Sequence, residues 1–428
     1  MPAKHGYNWE VPVIEKHSKV KHDVIREYLT RYIEVLTSMP HKELLRLYVV
    51  DGFAGGGWYK DEDDYNKIVY GSPILLHNTV KKVETRINFS RTKKLNIEDH
   101  YFFVDIDNSA LQSLKYVLKE NNITLDRKHL INKEFTTALP DILNFIKNYK
   151  NQRVPRCIFL LDQYGYKNVP LHSLNTIFTT FPNSAEVILT FSTDSIINYY
   201  NESDTFMKGM QKVGLEDIFT INDIKNYKES PQARLIIEQR IYDEIGLRSG
   251  AKFFTPFFIK SNKSSRSYWL IHLSNHPKAR DEMCKIHWSL QNHFVHHGNA
   301  GLNSVGIGQE KSLEMILGYS SAESKHEAQL GFEFLFDDDA DARTRAALIT
   351  DIPKLLKHDK PVSYNELVAS TCNGTPANTD HYKKALYTLH KHKQIVILNE
   401  HGNPARIRSE SGVDSDKTIV LPKQIGLF

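Results

Sequence analysis

Leu47-Tyr48-Val49-Val50-Asp51-Gly52-Phe53-Ala54-Gly55-Gly56-Gly57 decides the fold. Four apolar residues in a row read as a strand covered on both faces, the pattern of a parallel sheet. The glycines that follow let backbone pass close to a ligand with no Cβ in the way. The turn lacks the G-x-G-x-x-G spacing that seats a pyrophosphate on a helix N-terminus. It carries a carboxylate instead, which is hostile to a pyrophosphate and suited to a cationic amino-acid moiety. The stretch therefore favours S-adenosylmethionine over a dinucleotide, held by Asp51, Gly52, Phe53, Ala54, Gly55 and Gly57. An ordinary glycine-rich loop is the competing reading.

Working outward, His100 to Asp107 is a second apolar run ending in acids, and Asn108 opens a helix with Leu111, Leu114, Val117 and Leu118 on one face. Asp105 can accept both hydroxyls of a ribose, with Ile106 beside it at the same edge. Its alternative role, helix N-cap, falls more naturally to Asp107 or Asn108. A third strand, His129 to Asn132, leads to Glu134 and Phe135, where an adenine could be edge-bonded and packed. A fourth, Arg156 to Leu161, runs into Asp162-Gln163-Tyr164-Gly165-Tyr166.

In an open α/β sheet the carboxyl ends of the strands are where ligands bind. There Asp162 could accept hydrogen bonds from an amine nucleophile and contact the cofactor, while Tyr164 stacks on a flipped base. Methylation of an amine asks for little beyond alignment. The bland alternative has Asp162 capping a loop and Tyr164 in the core. Methylation of a base at C5 needs a cysteine nucleophile at the edge, and Cys157 lies inside its strand.

Lys21-His22 and Tyr28-Leu29 on an N-terminal helix, Asp51 to Gly55, Gly71-Ser72-Pro73, Asp162 with Tyr164-Gly165, Ser274 to Pro277 and the stretch Phe334 to Arg345 resemble the three-Cys-motif partner proteins. The resemblance spans most of the chain. It implies a class I methyltransferase-like fold and a separate radical-type three-cysteine protein as partner, with no settled substrate. One departure is Gln163, where that family usually has proline; it moves the motif away from the Asp-Pro-Pro-Tyr of amine methyltransferases.

The chain has 428 residues, 40% of them apolar and 25% charged, with a formal charge of +4. That is room for two or three domains, ordinary for a soluble globular protein and neutral about substrate. Three widely spaced cysteines, Cys157, Cys284 and Cys372, fit a reduced cytoplasm and no zinc site. A membrane span and a signal peptide are both unexpected, so the protein reads as cytoplasmic. His293, His296 and His297 fix no tetrahedral set, and no metal is expected.

The expected architecture is α/β: a Rossmann-like class I methyltransferase sheet over 1–200 and 251–292, completed by a hairpin of Lys252 to Lys260 and Ser267 to Ser274. A helical insertion, 201–250, would cover the cofactor or brace the sheet. Tyr59 to Tyr70 would be a mobile lid or a solvated loop. A linker, 293–340, precedes a winged-helix domain, 341–428, whose third helix carries Lys383, Lys384 and Lys391, with Lys393 just beyond. Such helices enter DNA grooves or dock proteins. The terminal Gln424-Ile425-Gly426-Leu427-Phe428 looks like a bacterial sliding-clamp-binding motif, unless Leu427 and Phe428 fold back as core. The expected activity is S-adenosylmethionine-dependent methylation of nucleic acid, at a nitrogen, with methylation of an oxygen left open. The rivals are a non-catalytic adaptor of nucleic acid or of the radical-type protein, and a methyltransferase of proteins or small molecules.

Overall fold

A computed structural model describes residues 11–151, 154–198, 204–218, 233–260, 267–290, 294–296, 300–302, 334–357 and 360–422. The chain divides into two units, one of residues 1–254 with 258–286 and the other of 255–257 with 287–428.

The first unit begins with β1 (Val13–Ile14) and helix α1 (Lys16–Leu36), followed by β2 (Leu44–Asp51), β3 (Trp58–Asp61), β4 (Ile68–Tyr70) and α2 (Ser72–Phe89). Then come β5 (Asn96–Asp105), α3 (Asn108–Glu120), β6 (Lys128–Asn132), α4 (Phe135–Asn148), β7 (Arg156–Leu161), α5 (Leu171–Thr180) and β8 (Ala185–Phe191). Short helices α6 (Thr193–Asn198) and α7 (Asp204–Val213) and the longer α8 (Ala233–Arg248) lead to β9 (Phe253–Lys260), β10 (Ser267–Ser274) and α9 (Pro277–Ser289).

Seven strands lie in the order β9-β10-β8-β7-β2-β5-β6. The pairs from β8 to β6 are parallel, and β10 runs antiparallel to β8. Counted along the chain, that order is 6-7-5-4-1-2-3, the methyltransferase-like arrangement expected from the sequence. The central strands are apolar because both faces are covered: every residue of β8 is buried, and β7 is buried from Cys157 on. Helix α1 turns Val24, Ile25, Tyr28, Leu29, Tyr32 and Ile33 inward at helical spacing.

The segment from Tyr59 to Tyr70 corrects the expectation of a lid or loop. β3 and β4 form an antiparallel hairpin, pairing Trp58 with Tyr70 and Lys60 with Ile68, and β1 adds a parallel strand beside β3. The Lys19 ammonium on α1 binds the buried Asp61 carboxylate at 2.5 Å, so the hairpin is pinned to α1.

In the second unit β11 (Phe294–His296) pairs antiparallel with β12 (Phe334–Leu335), both within the stretch expected as linker. Then α10 (Ala340–Leu355), β13 (Val362–Ser363), α11 (Tyr364–Thr371), α12 (Thr379–Lys391), β14 (Val396–Leu398) and β15 (Thr418–Val420) follow. The strands order as β13-β15-β14: three helices and a small sheet, a winged helix. The Ser363 hydroxyl caps α11 by accepting from the Glu366 N–H, and Asn378 and His381 form a reciprocal cap on α12. The tail Gln424 to Phe428, the hairpin turn 261–266, His293 and His297 lie outside the described residues. Among the described residues no helix is long and apolar enough to cross a membrane.

Candidate active site

Three carboxylates end neighbouring strands at the carboxyl edge of the sheet: Asp105 on β5, Asp51 on β2, and Asp162 one residue past β7. The turn after β2 is fastened to both flanking strands. Gly52 N–H donates to the Leu160 carbonyl at 2.9 Å and Ala54 N–H to the Val104 carbonyl at 3.0 Å. Gly55 N–H donates to Asp105 Oδ2 at 2.8 Å, and Asp107 N–H to Asp105 Oδ1 at 2.8 Å. Asp105 thus has one backbone donor on each oxygen and lone pairs to spare for hydroxyl donors. Burial raises its pKa against the pull of those two N–H groups.

Asp51 is fully buried. Its Oδ1 accepts from Phe53 N–H at 3.2 Å, while Oδ2 makes no hydrogen bond of ordinary geometry. Burial pushes the carboxyl up to about 7, opposed by the nearby Ser72 hydroxyl and the Phe53 N–H. Two glycines are explained by packing as much as by ligand access. A Cβ on Gly52 would meet Leu161 at 2.7 Å, and Gly57, at φ +83°, would meet Leu114 at 2.8 Å.

The remaining expected cofactor residues separate. Ile106 is 69% exposed at the edge, an apolar surface available to a flat ring. Glu134 is exposed at the start of α4, whereas Phe135 is core, buried against Phe53 at 6.2 Å between ring centres. Tyr164 stands 62% exposed, outside the core.

Asp162 has a partner that sequence reasoning did not assign. The Lys21 ammonium on α1 binds both carboxylate oxygens, at 2.6 and 2.7 Å, and Lys21 is itself buried. Burial would raise the Asp162 carboxyl; Lys21, with the Thr190 hydroxyl, reverses this and holds it below the usual carboxylate range. Neighbouring His22 is buried and driven down to about 4 by burial and then by Lys21. His17, one turn earlier, stacks on Tyr268 at 5.0 Å and is likewise lowered by burial. The only sequence signal for this pairing was the Lys21-His22 dipeptide itself. Gln163 also has a defined task. Buried, it accepts from the Asn168 and Val169 N–H groups at 2.9 and 3.1 Å, closing the loop after β7. A proline there would have no side-chain oxygen for this.

The strand order places the first unit in the Rossmann-like methyltransferase fold. Solved structures similar to the chain include a candidate rRNA methylase from Clostridium thermocellum, 14% identical, with a TM-score of 0.27, covering 61% of this chain and 96% of that one. Another is a candidate methylase from Haemophilus influenzae, 13% identical, TM-score 0.27, covering 60% and 99%. A third is the plantazolicin methyltransferase BpumL, solved in complex with SAH, 10% identical, TM-score 0.24, covering 61% and 88%. Over residues 318–402 the chain matches the family model of a GMT-like wHTH domain. No curated protein matches the chain.

On the winged helix, Lys391 and Lys393 are exposed at the end of α12, and Lys383 and Lys384 are half-buried on it. Lys384 also lies 3.6 Å from Asp341. Arg406 and Arg408, in the wing between β14 and β15, are exposed, and the Tyr387 hydroxyl on α12 donates to the Arg408 carbonyl at 3.3 Å. The wing arginines were missed in the sequence because wing loops have no periodicity to mark them. A cleft of about 150 Å³ opens at the amino edge of the sheet, lined among others by Tyr28, Tyr32, Arg156, Glu186, Lys278 and Glu282, away from the three carboxylates.

Proposed function

We propose that the protein is an S-adenosylmethionine-dependent methyltransferase acting on nucleic acid, at a nitrogen. The observation that carries this is the row of Asp105, Asp51 and Asp162 on adjacent strand ends beside a glycine turn, in the 6-7-5-4-1-2-3 sheet. The residues fit the cofactor. Asp51 keeps a buried oxygen without a well-formed hydrogen bond, suited to a cationic ligand nearby, and Asp105 retains acceptor capacity for ribose hydroxyls. Asp51, Gly52, Phe53, Ala54, Gly55 and Gly57 would line the turn side and Ile106 the ring side, with Glu134 reaching the adenine edge and Phe135 backing the turn from the core. When bound, the cofactor supplies an activated methyl group. Asp162 orients the acceptor amine, and the exposed Tyr164 offers a stacking face for a base.

The winged helix supports a nucleic-acid acceptor, with Lys383, Lys384 and Lys391 along one helix, Lys393 just beyond it, and Arg406 and Arg408 on the wing. Calorimetric titration with S-adenosylmethionine, with Asp51→Ala and Asp105→Ala as controls, tests the cofactor. Micromolar binding lost in both variants is the expected result, followed by transfer of labelled methyl to DNA or RNA. Absence of binding to the intact protein sinks the reading.

A second reading, a non-catalytic adaptor, is favoured by one observation: Lys21 already engages both Asp162 oxygens. It includes the pairing with nucleic acid or with a radical-type three-cysteine protein; docking of Gln424 to Phe428 on a sliding clamp is compatible with either reading. Co-purification of the full chain with each candidate distinguishes it.

A further inference from the structure

We propose that Lys21 and Asp162 together receive the amino-acid end of the cofactor, the Lys21 ammonium taking its carboxylate and one Asp162 oxygen its ammonium, which leaves the other oxygen for the acceptor amine. The inference rests on the cofactor reading above and adds a binding residue from α1, outside the sheet and its turns.

The carboxyl edge is lined with acids, Asp51, Asp105 and Asp162, which suit the ammonium and sulfonium of S-adenosylmethionine but repel its carboxylate. A cation is needed there. Lys21 is that cation, 7% exposed and bonded at 2.6 and 2.7 Å to the acid just past β7. The other basic groups beside it, His17 and His22, are both biased towards the neutral form by burial. Lys and Asp side by side, with opposite charges in contact, are complementary to a carbon bearing both an ammonium and a carboxylate. Each charge of the pair then exchanges its present partner for one on the ligand, and none is left uncompensated.

The spacing agrees. β5 and β7 flank β2, so the strands that lead to Asp105 and to Asp162 lie two strand spacings apart, roughly 10 Å, comparable with the span from a ribose to the end of its amino-acid chain. Lys21 is also held in place. Two residues earlier Lys19 ties α1 to Asp61, and two turns later the Tyr28 hydroxyl donates to Glu186.

The test is calorimetry on the full chain with four ligands: S-adenosylmethionine, S-adenosylhomocysteine, decarboxylated S-adenosylmethionine and 5′-methylthioadenosine, which has no amino-acid end. In Lys21→Gln the first two should weaken by about tenfold or more, the loss of one charge-assisted hydrogen bond. Decarboxylated S-adenosylmethionine and 5′-methylthioadenosine should bind as to the unaltered protein, within about twofold. Lys21→Arg should recover most of the loss. Equal S-adenosylmethionine affinity in Lys21→Gln and the unaltered protein overturns the inference and leaves the methyltransferase reading standing. A uniform loss of all four ligands also overturns it, since Lys21 would then serve the fold alone. If the unaltered protein binds none of the four, the methyltransferase reading fails and this inference with it.

Discussion

At the end of β2 the chain buries Asp51 completely and raises its carboxyl from 3.8 to about 7. Between those values the folded protein holds a proton that the unfolded chain has released, so stability falls as pH rises through this window. The penalty is at most roughly 4 kcal/mol, at about 1.4 kcal/mol per pH unit. Asp51→Asn should remove it: urea unfolding at pH 5 and pH 8 should show the variant gaining on the parent at the higher pH, and an equal difference at both would exclude a buried, shifted acid. Gln163→Ala leaves the Asn168 and Val169 N–H groups without their acceptor and should cost about 2 kcal/mol in the same assay. Gln163→Glu, which keeps an oxygen acceptor, should cost less. At this scale the acids were legible in the sequence, because an apolar run that stops at an Asp marks a strand end. The Lys21 contact was not, because its partner stands 141 residues away and no local pattern encodes that distance.

Among the elements, the β2 turn depends on residues without side chains. Gly57→Ala combines a left-handed φ of +83° with a Cβ driven into Leu114. It should destabilise the protein by about 2 kcal/mol or more and weaken S-adenosylmethionine binding, both visible in a thermal-shift series with and without ligand. The parallel strands were legible because burial on both faces writes an unbroken apolar run. The β3–β4 hairpin was not: its tip is acidic, and its pairing depends on β1 and on the Lys19 bond to Asp61, which are tertiary facts. Within the winged helix the start of α11 is marked locally, by the Ser363 cap with Glu366 three positions on, since capping is local chemistry.

For the whole molecule, a nucleic-acid acceptor predicts binding that weakens with salt. Replacing Lys391, Lys393, Arg406 and Arg408 by Ala in the full chain should reduce affinity for a DNA or RNA duplex across sequences. The slope of log affinity against log salt should fall by up to about 0.9 per phosphate contact removed. An unchanged slope would move the weight to a protein-docking winged helix. The order of strands was recoverable because right-handed crossovers leave few alternatives, but the acceptor was not, since the overall charge of +4 is silent about where positive surface gathers.

Helix α1 touches both rims of the sheet, through Lys21 to Asp162 at one and Tyr28 to Glu186 at the other. A ligand that takes over Lys21 therefore pulls on a rod whose far end is clamped beneath the amino-edge cleft. Amide hydrogen exchange along Tyr28 to Leu36 should slow when S-adenosylmethionine binds, reporting occupancy from the opposite side of the protein.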